Sequence, residues 1–290
     1  MILDLPDTNT GAINKKIVSL REEGGAITLG RVLTLVVAPD TEAILEEAID
    51  AANTASREHP CRVIVVIPGD RLATEARLDA QLRVGRDAGA NEVVVLRLSG
   101  PLAGHASSVV TPFLLPDTPV VTWWPDVAPA VPAADPLGKL AIRRITDATN
   151  GEDPLTCIKS RLAGYTSGDT DLAWSRVTYW RALLAAALDQ APYEPITEAL
   201  VSGLKDEPAL DILAGWLAAC AARIFLPAAA GVMVRSAMQS ASSDAWAVRA
   251  GPRAANMART SLTRVSFAAR AASTRWARDA AATKRPPLRA

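Results

Sequence analysis

Cysteine, histidine and long apolar runs are all scarce in this 290-residue chain, and each scarcity excludes a class of protein. Cys61, Cys157 and Cys220 are too few and too scattered for a disulfide framework, and no two form a C-x-x-C pair, so a reducing compartment is expected. With only His59 and His105 present, a three-histidine zinc site within one chain is impossible and histidine-based catalysis has two candidates. No apolar run reaches the roughly 18 residues that span a bilayer, and the acidic start Met1 to Asp7 is unlike a secretory signal. A cytoplasmic protein with no membrane partner is the expectation. Gly-x-Gly-x-x-Gly, the phosphate loop ending in Gly-Lys-Ser/Thr, the Gly-x-Ser-x-Gly elbow and His-Glu-x-x-His are missing as well.

What remains does not converge on chemistry. Gly24-Gly25 reads as a turn before a strand, and His59 beside Pro60 as a helix-end residue. Cys61 and Cys157 read as small packing residues. Glu22-Glu23 and Glu46-Glu47 are adjacent pairs, which do not face each other on a helix and so suit a solvated face. No catalytic residue, metal ligand or cofactor site is assigned.

Charge is distributed unevenly. Equal totals of 31 basic and 31 acidic residues hide a split: residues 221–290 hold twelve Lys or Arg against Asp244 and Asp279, a net of +10, which leaves −10 on residues 1–220. No glutamate follows Glu207, and alanine and arginine dominate the tail. The hydrophobic share of 49% with 21% charged residues is that of a folded globular chain.

Arg31 to Val37, Val63 to Ile67, Val93 to Leu98 and Pro119 to Pro125 read as strands, with Leu82 to Val84 as a weaker edge candidate. Between the first two, Ile44, Leu45, Ala48, Ile49 and Ala52 recur at helical spacing behind a Thr41 cap. Pro101 to Leu115 is expected to be helical and to pack on the sheet. Strands alternating with helices predict an α/β fold, a Rossmann-like and mostly parallel sheet with flanking helices. A proline-rich connector, Pro125 to Pro136, follows, and residues 137–145 are expected to pack back onto the sheet. Ala173, Val177, Trp180, Leu184 and Leu188 predict an amphipathic helix ended by Pro192 and Pro195, and another begins at Pro208. The expected division is a sheet domain at 1–150, the helical part of a second domain at 151–217, and a basic tail at 218–290.

Trp123-Trp124-Pro125 is the most unusual local feature. Strand alternation sends one indole into the core and the other to the opposite face or the rim, where an exposed Trp anchors an interface unless helices bury both. Trp174, Tyr179, Trp180 and Arg181 make a second aromatic and basic cluster, with Trp180 expected in the core.

Several stretches resemble the OpcA, or glucose-6-phosphate dehydrogenase assembly protein, family of actinobacteria and cyanobacteria. They are Thr28 to Val36, Leu114 to Pro125, Asp135 to Gly138, Arg143 to Asp147 and Gly168 to Arg176. The resemblance implies a non-enzymatic protein that binds glucose-6-phosphate dehydrogenase and promotes its active oligomer, raising flux into the oxidative pentose phosphate pathway and NADPH supply. Trp123, Trp124, Pro125, Asp169, Asp171, Trp174 and Arg176 are then the expected partner-binding positions. Such a factor acts by binding the active assembly more tightly, and about 1.4 kcal/mol of preference shifts that equilibrium tenfold.

The resemblance fades near Ala218, where a native disordered tail and a changed reading frame in a GC-rich gene both account for the composition. A small-molecule-binding protein or enzyme with its ligand at the strand carboxyl ends is the chief alternative function. The twelve cations of the tail lie in no sustained helical stripe, so no nucleic-acid partner is expected.

Overall fold

The structure, a computed structural model, describes residues 1–23, 30–84, 92–189, 198–204, 206–224, 233–239, 246–251 and 265–267. Gly24-Gly25, Thr28-Leu29 and the helix-ending Pro192 and Pro195 lie outside the described residues, as does most of the tail. Two compact units divide the chain, Met1–Leu172 and Ala173–Ala290.

The first unit carries strands β1 (Ile2–Leu5), β2 (Leu33–Val37), β3 (Cys61–Pro68), β4 (Arg77–Arg83), β5 (Glu92–Ser99), β6 (Val120–Trp123), β7 (Arg143–Thr146) and β8 (Asp169–Asp171). They form one eight-stranded sheet in the order β1-β4-β5-β3-β2-β6-β7-β8. From β5 through β8 every neighbouring pair is parallel, while β4 is antiparallel to both β5 and β1. The expected α/β, mostly parallel sheet is therefore what the chain forms.

Helices α1 (Thr10–Glu23), α2 (Leu45–Ala55), α3 (Ala106–Val110) and α4 (Pro154–Ala163) belong to this unit. Strand alternation divides the core between the two sheet faces. Ile64, Val66, Val94 and Leu96 pack with Ile13 and Ile17 of α1, Val110 of α3 and Phe113. Val63, Val65, Val93 and Val95 pack with Leu45, Ala48, Ile49 and Ala52 of α2. Four of the five predicted core positions are thus buried in α2, each Leu or Ile contributing about 1.5–3 kcal/mol, while the fifth, Ile44, lies in the turn ahead of it and is half-buried. Thr41 stands at the N-cap of a 3-10 turn, Glu42–Ile44, that leads into α2, and makes no side-chain cap hydrogen bond. Between Pro101 and Leu115 the chain forms α3 flanked by 3-10 turns instead of one long helix. Pro112, within the second of these turns, supplies no N–H to an α-helical ladder.

Two directions of winding meet at β2. The connection to β3 runs through α2 on one face, and the connection from β5 to β6 runs through α3 on the other. The switch point of the sheet is therefore the gap between the carboxyl ends of β2 and β6. At the opposite, amino end, buried Glu92 takes ion pairs from Arg21, Arg31 and Arg62 at 2.7, 3.0 and 3.1 Å, tying α1 to the parallel strands.

The sequence closes the sheet domain at residue 150, but the structure continues it through α4 and β8, because β8 pairs with β7 as the edge strand. In the second unit, α5 (Leu172–Arg176), α6 (Thr178–Leu188) and α7 (Pro208–Ile224) accompany β9 (Glu198–Leu204), β10 (Met233–Gln239), β11 (Trp246–Gly251) and β12 (Val265–Phe267). Ala173, Val177, Trp180, Val201, Ala209, Leu210 and Leu213 make its core, with Leu184 partly buried against it. Helices are present where periodicity predicts them, but the single helix expected from Ala173 to Leu188 is two, α5 and α6, parted at Val177. The addition is a four-stranded sheet in the order β10-β9-β11-β12, three of whose strands arise in the Ala/Arg-rich stretch. Pairing with β9 dictates β10 and β11, and pairing with β11 dictates β12, which explains why local apolar pattern does not announce them.

Candidate partner-binding site

The carboxyl end of β6 separates the two tryptophans as strand alternation requires. Trp123 packs partly buried against the α2 side, and Trp124 joins the core on the α1 and α3 side at 4% exposure. The sequence leaves two outcomes open at this strand end, and neither indole is fully exposed, because both faces of the sheet are covered. Pro125 is buried too, and its carbonyl accepts a hydrogen bond from Asn150 Nδ2 at 2.9 Å.

Trp124 instead lines a cavity of about 240 Å³ at the switch point. Its walls come from the carboxyl ends of β2, β3 and β5, through Ala38, Pro68 and Leu98, and from the proline-rich connector. In a Rossmann-like sheet the loop after the first parallel strand receives a phosphate at the following helix N-terminus. Here that loop carries Asp40, whose backbone N–H donates to both carboxylate oxygens of Asp126 at 3.1 and 3.2 Å, and the first turn of α2 adds Glu46 and Glu47. Two clustered carboxylates repel a phosphate, so the position is adverse to a dinucleotide on electrostatic grounds. Sequence reasoning does not find this pair, since 86 residues separate its members.

Asp169 and Asp171 are bound inside the first unit. Arg144, 7% exposed, pairs through Nε with Asp169 Oδ1 and donates from Nη1 to Ala141 O at 2.9 Å and from Nη2 to Ser167 O at 2.6 Å. Asp169 Oδ2 also accepts the Thr166 N–H at 2.8 Å. Asp171 accepts the Thr146 hydroxyl at 2.7 Å and the Ala148 N–H at 3.0 Å. Gly168 precedes them at φ +97°, and a Cβ there would stand 2.5 Å from Ile142 O, so glycine is required for β8 to approach β7. Other motif residues interlock in the same way. Thr34 Oγ1 accepts the Leu115 N–H at 3.3 Å, and Thr122 Oγ1 donates to Leu137 O at 3.1 Å. The motifs thus contribute stitches between segments.

Trp174 and Arg176, in the second unit, are exposed. Trp174 is 38% exposed and carries the Arg181 guanidinium 3.8 Å from its ring centroid, a cation–π contact. Tyr179 nearby in sequence is exposed and Trp180 buried, as the amphipathic pattern predicts. Cys61 is buried, and burial pushes its thiol up to about 11, which keeps it protonated at neutral pH as a packing residue. Among the described residues no three His, Cys, Asp or Glu side chains group as metal ligands, and no helix is long and apolar enough to cross a membrane.

Comparison with known proteins places the chain in a family. Residues 52–163 match the family described as the glucose-6-phosphate dehydrogenase subunit N-terminal domain, and residues 167–286 match the corresponding C-terminal domain. The chain belongs to the OpcA family. The junction between the two OpcA matches lies close to the junction of the two compact units, and the second match takes in most of the Ala/Arg-rich stretch. An OxPP cycle protein of Synechocystis sp., itself named OpcA, is 26% identical over 192 residues, covering 61% of this chain and 38% of that relative. The chain therefore spans well under half of the relative's length. No solved structure matches significantly.

Proposed function

We propose that this OpcA-family chain is a non-catalytic, cytoplasmic assembly factor of glucose-6-phosphate dehydrogenase, which binds the enzyme's active oligomer in preference to its inactive forms. The observation that carries the reading is the pair of consecutive matches to both domains of a family described as a glucose-6-phosphate dehydrogenase subunit. Motif side chains consumed in internal stitches, and a switch point lined with carboxylates where a phosphate would sit, support a binding role over a catalytic one. Of the seven expected contact residues, Trp174 and Arg176 have the exposure a direct contact needs, and Trp is a frequent interface anchor. The other five hold the first unit's own structure.

Purified dehydrogenase assayed with and without the chain, together with its mass in solution, tests this. Stimulated turnover and a shift toward the larger oligomer are expected, whereas co-elution without either would remove the assembly role. The position of the cavity, at the strand carboxyl ends beside the switch point, favours a second reading, a small-molecule-binding protein. A metabolite retained in the native mass spectrum, with no effect on the dehydrogenase, would select it.

A further inference from the structure

The geometry points to the switch-point cavity as a socket for one basic side chain of the protein partner, its aliphatic stem against Trp124 and its charged tip at Asp40. The inference rests on the reading that glucose-6-phosphate dehydrogenase is that partner.

Size decides first. At about 240 Å³ the cavity falls below the roughly 300–1,000 Å³ of sites that enclose whole ligands, and suits a single side chain. Wall chemistry decides second. Pro39, Pro68, Pro129 and Pro136 line it beside Trp124 and Leu137, and proline has no backbone N–H to offer an anion. An apolar stem packs well there.

Charge at the rim decides third. Asp40 and Asp135 both line the cavity, and Asp126 stands behind Asp40, accepting its backbone N–H. Asp135 is half-buried and its Oδ1 accepts the Leu137 N–H at 2.8 Å, so Asp40, with its side chain 48% exposed, is the more open acceptor of the two. Arg71 is the single cation of the lining, and its Nη2 lies 3.9 Å from Asp40 Oδ1 on a side chain 69% exposed. An exposed pair at that separation contributes little stability, so an incoming cation displaces Arg71 at small cost. With the surplus of acid, the rim is complementary to a lysine or arginine. A phosphate is disfavoured there.

Gly104 supplies the means of testing this. It lines the cavity, and a Cβ added there meets nothing within 4 Å, so Gly104→Leu adds bulk to the lining with no clash at its first side-chain atom. Val127 lines the same rim at 59% exposure, and Val127→Arg puts a repelling charge at the mouth without touching the core. Titration of the full chain into purified dehydrogenase is expected to show binding weakened about thirtyfold by Gly104→Leu, the loss typical of a side chain in a desolvated pocket. Val127→Arg and Asp40→Asn should weaken it several-fold, Asp40→Asn with a shallower salt dependence, and Gly104→Ala should match the wild type. If Gly104→Leu does not fold, Val127→Arg and Asp40→Asn decide alone.

Wild-type affinity in the folded variants overturns the socket while leaving the partner reading intact. A wild-type chain that does not bind the dehydrogenase overturns both. A metabolite found in the wild type by native mass spectrometry, and lost from Gly104→Leu, overturns the socket in favour of a small-molecule site.

Discussion

Arg144 and Asp169 show at the scale of single residues how the motifs of this chain work. The guanidinium reaches Asp169, Ala141 and Ser167, joining the connector before β7 to the loop before β8, and it does so almost wholly buried. Arginine suits that place because its planar fork serves several acceptors at once, whereas a lysine ammonium is a compact point charge on a flexible stem. Arg144→Met would leave Asp169 without its counter-charge and two carbonyls without donors. We expect it to lower the free energy of unfolding by about 3–5 kcal/mol, as breaking a buried pair does. Urea denaturation followed by fluorescence measures this, and Arg144→Lys should recover less than half of the loss. An unchanged midpoint in Arg144→Met would show that β8 is held by its backbone ladder alone.

At the scale of elements, α2 is attached to the sheet by packing and by one charged pin. Arg83 of β4 donates to both carboxylate oxygens of Glu46, at 2.7 and 2.6 Å. These hydrogen bonds hold the Glu46 carboxyl below its ordinary value of 4.5, outweighing the opposing effect of partial burial. A carboxyl depressed in the folded state stabilises fully above its unfolded value, and loses that contribution as pH falls through the folded one. The pin therefore weakens below about pH 4.5. Glu46→Gln should flatten the acid limb of a melting-temperature profile by the equivalent of less than about 1 kcal/mol, since the Glu46 side chain is 72% exposed. Elements with a strong internal period were legible in the sequence: the apolar positions of α2, the buried runs of β3 and β5, and the two faces of Trp123 and Trp124. β7 and β8 were not, being four and three residues long and rich in Arg and Asp; pairing of β7 with β6, and of β8 with β7, makes them strands. α1 went unread, although Ile13, Ile17 and Leu20 stand at helical spacing and form its buried face. The acidic pair at the switch point depends on topology, because only the juxtaposition of β2 and β6 brings Asp40 to Asp126.

The whole molecule turns on whether its last seventy residues belong to the fold. β9 precedes them in sequence, yet it lies between two strands that they supply: Val201 is paired with Ser236 of β10 on one side and Val248 of β11 on the other. Ending the chain at residue 217 removes both neighbours of β9 and cuts into α7, which runs to Ile224. A strand stripped of both ladders keeps only side-chain packing against α7, and its amide protons lose their acceptors. Hydrogen exchange read by mass spectrometry should then show β9 amides exchanging tenfold or more faster in the truncated chain, about 1.4 kcal/mol of local opening. The first unit has its own two core clusters, all contributed from within residues 1–172, and should exchange as before. An adventitious tail, disordered or translated out of frame, requires the contrary result, equal β9 exchange with and without residues 218–290. Trp174 and Arg176 sit in the unit at risk, so a truncated chain that exchanges faster at β9 should also bind the dehydrogenase less tightly.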